Sequence, residues 1–235
     1  MTIKAIFFDA AGTLIQPARR VGESYATVAR KYGMDVAPSE LSARFNECFD
    51  SAPPLAFPKA SPAQIEEMER EWWKRLVRHI FAPWGFVERF DDYFEELFAY
   101  FAQADAWTLY PEVRETLTTL KQQGLILGVI SNFDSRLLTI LKGLEIACSF
   151  DGIFISSRAG YAKPARQIFH MALNRHALSP ECALHVGDSE EKDVYGANRA
   201  GLTGIHVDRG GHHGSVNGPR ITSLKEIITL LGDQT

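Results

Sequence analysis

The stretch that decides the fold is residues 3–13, IKAIFFDAAGT. Residues 3–8 form a short, nearly continuous apolar run that stops at Asp9, the length and texture of a strand buried on both faces. Runs of the same kind recur at residues 125–130 (LILGVI), 152–155 (GIFI), 183–186 (ALHV) and 204–207 (GIHV). Between them, residues 111–123 open on a proline and end at Gly124. Residues 164–176 also open on proline, with Ile168, Phe169, Ala172 and Leu173 on one helical face. Strands alternating with helices predict crossover connections and a parallel sheet. The expected core is a doubly wound, Rossmann-like α/β fold.

Residues 17–105 break that rhythm. They hold no clear strand and read as four helices. The first two fit residues 21–31 and 38–50, and a loop with three prolines follows at 52–59. Ser61 and Gln64 then make a capping box, with Pro62 at the first helical position and an apolar stripe of Ile65, Met68, Trp72, Leu76 and Ile80. Phe90, Tyr93, Phe94, Leu97, Phe98 and Phe101 repeat the pattern. Of 26 aromatic residues, 17 fall between Gln16 and Trp107, including all four tryptophans, so this part builds its core differently from the rest. The stripes are expected to be bundle core rather than a substrate pocket. The predicted organisation is a core of residues 1–16 and 106–235 with a helical insert of residues 17–105.

Composition narrows the class. The chain has 235 residues, 46% hydrophobic and 23% charged, and a net charge of −4. That is enough apolar material for a core, and weak acidity without basic runs argues against nucleic acid or membrane-surface partners. The three cysteines are scattered, and Cys148 and Cys182 read as small apolar fillers. The apolar run before Asp9 is too short for a signal peptide, and no later run approaches the roughly 20 residues that span a bilayer. A cytoplasmic globule is expected, as a monomer or homodimer.

In an open α/β sheet, ligands bind beyond the carboxyl ends of the strands. Asp9-Ala-Ala-Gly-Thr13 follows the first run, Ser131-Asn132 the second, and Gly187-Asp188-Ser189 the fourth, with Asp193 five positions after Asp188. Lys163 precedes the helix expected from Pro164. Carboxylates, an ammonium, a hydroxyl and a glycine-bearing loop at one sheet edge make a site for a hard cation and a phosphate.

This pattern resembles the haloacid dehalogenase superfamily of hydrolases over almost the whole chain. FFDAAGTL (7–14), VISNFD (129–134), YAKPARQIF (161–169) and HVGDSEEKD (185–193) match in order and spacing, and the helical insert stands where that superfamily carries its cap. The resemblance implies that Asp9 is a nucleophile forming an aspartyl-phosphate. It implies Mg²⁺ held by Asp9, the Ala11 carbonyl and Asp188. Ser131 and the main-chain amides at Ala10 and Gly12 would bind phosphoryl oxygens, with Asn132 bordering the site and Thr13 bonding the loop in place. Lys163 would neutralise charge, with Asp193 and Ser189 behind it or behind metal-bound water. The implied partner is a small phosphorylated metabolite. GESYA (22–26), SNFDSRL (131–137) and HVGDS (185–189) further resemble the rhythmically-expressed-gene-2-like subgroup.

One departure stands out. The superfamily's phosphatases carry a second aspartate two residues after the nucleophile as general acid and base, and here that residue is Ala11. Such a group contributes about 10²–10⁴ in rate. The readings left open are a phosphatase with a reassigned or dispensable acid, a hydrolase of C–P or C–halogen bonds, and a phosphometabolite binder with little turnover. A C–P enzyme of this type would need a cap lysine, for which Lys31, Lys59 and Lys74 are available. Arg19, Arg20, Tyr25, Lys59 and Trp72 are candidates to face the site from the insert. His185 reads as a packed histidine, His212 and His213 as loop polarity, and Glu190, Glu191 and Lys192 as a solvated helix face.

Overall fold

A computed structural model describes residues 2–85, 88–211 and 218–232. In chain order, β1 (Ala5–Phe8) and a short β2 (Ile15–Pro17) lead into α1 (Val21–Arg30), α2 (Pro38–Ser51), α3 (Pro62–Phe81) and α4 (Phe90–Tyr100). β3 (Trp107–Leu109) returns antiparallel to β2. Then follow α5 (Val113–Gln122), β4 (Ile126–Ser131), α6 (Arg136–Gly143), β5 (Gly152–Ile155), α7 (Ser156–Ala159), α8 (Arg166–Arg175) and β6 (Ala183–Gly187). A π-helical turn at Glu190–Tyr195 runs into α9 (Gly196–Ala200), followed by β7 (Thr203–Val207), β8 (Arg220–Ile221) and α10 (Glu226–Gly232).

Six strands form one parallel sheet in the order β5-β4-β1-β6-β7-β8. This is the doubly wound α/β fold the apolar runs predict. β1 alternates its side chains between two apolar clusters. Ile6 and Phe8 face one with Leu117, Leu137 and Leu141, while Ala5 and Phe7 face the other with Ile168, Phe169 and Leu173. Both clusters are closed by helices, which is why the strand reads as unbroken apolar sequence. The chain leaves β1 for β4 on one side and later returns to β6 on the other. Asp9 therefore sits at the switch point, where open sheets form their crevice.

The four insert helices bury a separate apolar cluster that includes Tyr25, Leu41, Val77, Ile80, Phe81, Tyr93 and Phe94. The Ser61–Gln64 box forms, Gln64 Oε1 accepting from both the Ser61 amide and hydroxyl at 3.1 and 2.8 Å. Met68 departs from the predicted stripe: it is exposed, because the interior face of α3 passes through Ile65, Glu69, Leu76 and Ile80 instead. Cys148 is also exposed rather than a filler, and Cys182 is partly covered. α5 and α8 start at Val113 and Arg166, so Pro111 and Pro164 stand in the preceding turns rather than at the first helical position. No helix among the described residues is long and apolar enough to cross a membrane.

Candidate active site

The β1 register brings the strand ends together. Phe8 pairs with Val129 of β4 and with Val186 of β6, so Asp9, Ser131 and the Gly187-Asp188 turn emerge side by side. The Asp9 amide still donates to the Val186 carbonyl (2.8 Å), which extends the sheet to the carboxylate. The chain then turns sharply, with the Ala10 carbonyl accepting from the amides of Leu14 (2.8 Å) and Ile15 (2.9 Å). Gly12 takes φ +85° there, and any Cβ on it would fall on the Asp188 carboxylate.

Lys163 links the carboxylates. Its Nζ donates to Asp9 Oδ1 at 2.7 Å and to Asp193 Oδ1 at 2.5 Å, with all three side chains nearly inaccessible. Burial alone would lower the lysine's proton affinity, but Asp193 and Asp9 together raise it above the ordinary value, so it stays cationic. Asp193 is held at both oxygens: His185 Nε2 and Lys163 meet Oδ1, and the Ser189 amide donates to Oδ2 at 3.0 Å. Burial pushes the Asp193 carboxyl up, yet Lys163 and His185 outweigh it and hold it well below the usual carboxylate range. Gly187 leaves room for this, because a Cβ there would overlap the Asp193 carboxylate.

His185 is packed, as read from the sequence, edge-on to Phe169 at 5.1 Å. It does more than fill space. Burial pushes it below the ordinary histidine value, so the ring is neutral and its Nε2–H donates to Asp193 (2.9 Å).

Asp188 is the open member of the acidic trio. Oxygens of Asp9, Asp188 and Asp193 lie within 4.8 Å of one another. Desolvation, then the charges of Asp9 and Asp193, push the Asp188 carboxyl up to about 7. Three carboxylates facing one lysine leave excess negative charge, and among the described residues nothing donates to the Ala11 carbonyl beside them. That donor set is hard and oxygen-only, the type that suits Mg²⁺.

Several expected contacts take another form. The Gly12 amide is not free for a phosphoryl oxygen, because it donates to the Ile15 carbonyl (2.8 Å); Gly12 contributes space instead. Thr13 does not bond the loop through its side chain. Its buried hydroxyl has no partner among the described residues, while its carbonyl accepts from Arg209 Nη2 at 2.5 Å. Asn132 borders the cavity as expected, and its amide clasps the Lys163 backbone, Nδ2 to the carbonyl at 2.9 Å and Oδ1 from the amide at 2.7 Å. It positions the lysine. Glu190 and Glu191 are exposed, but they lie on a π-helical turn, and Glu191 and the half-buried Lys192 border the cavity. His212 and His213 lie outside the described residues.

A cavity of about 570 Å³ opens above Asp9, Ser131, Lys163 and Asp188 toward the helical insert. Its far wall corrects the reading of the aromatic stripes. Phe49, Trp72, Trp73, Phe98 and Phe101 line the cavity, alongside Tyr25 from the buried bundle cluster, because the bundle lies directly over the switch point. Of the residues proposed to face the site, Tyr25 and Trp72 do so; Arg19, Arg20 and Lys59 are exposed and do not border it. Lys31 pairs with Glu96 and Lys74 with Asp91, so no lysine of the insert reaches the cavity among the described residues.

Sequence reasoning missed the seam joining insert and core. Buried Asp134, two residues past Asn132, is gripped by the Arg136 guanidinium and by the Trp73 indole N–H at 2.6 Å. Glu69 of α3 accepts from the Ser135 amide (3.0 Å) and hydroxyl (2.9 Å) and from the Ser157 hydroxyl (2.5 Å). The only signal was the polar triplet after β4, in which Asp134 and Arg136 bracket Ser135.

Residues 3–201 match the family model described as haloacid dehalogenase-like hydrolase. The chain belongs to the haloacid dehalogenase-like hydrolases. It is 33% identical over 204 residues to human haloacid dehalogenase-like hydrolase domain-containing protein 3, covering 86% of this chain and 80% of that one. Phosphoserine phosphatase from Thermus thermophilus is 30% identical over 225 residues, or 88% and 90% of the two chains. A solved HAD phosphatase from Thermococcus onnurineus superposes with a TM-score of 0.69 at 24% identity, covering 98% of each chain, a likeness of fold. Within this hydrolase family, Asp9, Lys163 and Asp188 stand together at the sheet edge where the fold binds ligands.

Proposed function

We propose that this hydrolase is a Mg²⁺-dependent phosphomonoesterase of a small phosphorylated metabolite, with Asp9 as nucleophile. The observation that carries the reading is the buried Lys163 ammonium on Asp9 Oδ1, at the floor of the cavity beneath the helical insert. A carboxylate attacks a phosphate dianion poorly unless cations offset their repulsion, and Lys163 is fixed at the point of attack. Asp193 and Asn132 hold that lysine, the first by charge and the second through its backbone. Asp9, Asp188 and the Ala11 carbonyl would hold Mg²⁺; once bound, the ion would supply Lewis-acid stabilisation of phosphoryl oxygens. Asp193, with both oxygens engaged, fits the lysine better than the metal. Ser131 and the main-chain amides after Asp9 would donate to phosphoryl oxygens. Residues 17–105 act as a cap over the core of residues 1–16 and 106–235, shutting water and macromolecules out of the cavity. The similarity to a phosphoserine phosphatase supports ester hydrolysis.

The test is phosphate release from a panel of esters, with and without Mg²⁺, by the wild type and Asp9→Asn. Mg²⁺-dependent release that Asp9→Asn lowers by at least about 10³-fold is the expected result. Release that survives in Asp9→Asn contradicts the assigned nucleophile. Thermal stabilisation by phosphate esters without any release would instead mark a binding protein.

A further inference from the structure

The cavity is charged around Asp9 and at its border, where Asp50, Glu191 and Lys192 stand, and the rest of its lining is largely apolar. Its far wall is largely aromatic, from Phe49, Trp72, Trp73, Phe98 and Phe101, and the indole N–H groups there are already bonded. The Trp72 indole N–H donates to the Pro53 carbonyl (3.0 Å), Trp73 to Asp134 (2.6 Å) and Trp107 to the Phe101 carbonyl (3.1 Å). Arg136, the one cation on that side among the described lining residues, is locked bidentate on Asp134 and lies 3.9 Å over the Phe98 ring. It is not free to receive a substrate carboxylate. A sugar or amino-acid portion placed against this wall would lose its water and find few partners there, whereas an aromatic ring would gain apolar and ring contacts.

A second, independent feature concerns the proton. Breaking a P–O bond to an alkoxide needs an acid beside the departing oxygen. The side chain two residues after Asp9 is the methyl group of Ala11, which borders the cavity. Asp188 belongs with the cation, and Asp193 is paired with Lys163. The other lining acids among the described residues, Asp50 and Glu191, are exposed. Burial pushes the Tyr25 phenol far up, which makes it a poor donor.

Resting on the phosphomonoesterase reading above, we propose that the leaving group is an aryl oxide, so that the substrate class is the phosphomonoester of a phenol. Asp9 Oδ bonds to phosphorus as the P–O(aryl) bond breaks, and the electron pair departs on the phenolate oxygen, which is protonated later by bulk water. Water then attacks phosphorus, the Asp9 carboxylate is restored, and inorganic phosphate leaves with the water's proton. A phenol ionises near pKa ~10 and departs unassisted, whereas an alkanol, closer to water at about 16, does not. Ring-lined walls and the missing acid thus select the same chemistry.

The experiment compares kcat/KM of the Mg²⁺-supplied wild type for phenyl phosphates of graded phenol acidity, benzyl phosphate, acetyl phosphate and O-phosphoserine. Phenyl and benzyl esters share a ring and differ in the leaving oxygen; acetyl phosphate has an acidic leaving group and no ring. Expected are phenyl esters at least about 100-fold above benzyl phosphate and phosphoserine, and rates that fall steeply as the phenol weakens. Acetyl phosphate should turn over with a much higher KM than the phenyl esters. Ala11→Asp should raise the benzyl ester's rate more than the phenyl ester's. Benzyl phosphate or phosphoserine matching phenyl phosphate overturns the proposal and leaves the phosphatase reading standing. An acetyl phosphate KM as low as that of the phenyl ester overturns the role of the rings. No release from any compound overturns the phosphatase reading, and the proposal with it.

Discussion

At the residue scale, the site is an arrangement of charges that only its neighbours make tolerable. A lysine buried between two carboxylates is stable because each charge has a partner, and removing one partner leaves the others uncompensated. His185 adds a titration to this cluster. Its pKa is held below the ordinary value of 6.5, so the unfolded chain takes up a proton that the folded chain refuses. Stability from His185 is therefore fully present above that ordinary value and is lost as pH falls toward the depressed one. As pH falls below the ordinary histidine value, His185 lowers the folded state's stability while the raised Asp188 carboxyl, which takes up a proton on folding, acts the other way; His185→Gln, which keeps a donor for Asp193, should therefore lose less melting temperature than the wild type over that range. An unchanged slope in the variant would place the acid sensitivity elsewhere. Of these residues, Asp9, Lys163 and Asp193 were legible because each stands at a fixed spacing after an apolar run or just before a proline. The different work of Asn132 and Gly12 was not legible: which amide is free depends on how tightly the Ala10 carbonyl folds the loop back on itself.

At the scale of elements, five of the six parallel strands were readable from run length and apolar content; β8, two residues at the sheet edge, was not. β2 and β3 were not, being three residues each and visible only as a pair. The aromatic stripes were read correctly as helical faces, but periodicity cannot tell a ring that faces another helix from one that faces an empty space above a sheet. The seam between α3 and the core is where this shows. Glu69 accepts three hydrogen bonds from Ser135 and Ser157, directly behind the Ser131–Asn132 turn. Glu69→Ala would leave buried donors unmet and should cost about 2 kcal/mol in urea unfolding. Because α3 also carries Trp72 and Trp73 over the cavity, the same variant should raise KM more than it lowers kcat. Equal losses in both would mean the seam does not position the cavity wall.

At the scale of the whole molecule, two separately cored bodies meet at one switch point. The β2–β3 ribbon ties them covalently and the Asp134–Trp73 and Glu69–serine contacts tie them across the seam. The sheet supplies rigid strand ends, and the insert supplies a roof of rings. The family pattern in the sequence located the floor of the site; what the roof selects follows only from its burial against that floor. The proposed hydrolysis depends on Asp9 becoming covalently phosphorylated. Acid quenching of the Mg²⁺-supplied enzyme during turnover of phosphorus-labelled phenyl phosphate tests that directly. The account predicts a hydroxylamine-labile label on the peptide that carries Asp9, absent from Asp9→Asn. Steady phosphate release with no label on that peptide, or with the label on another residue, would contradict it.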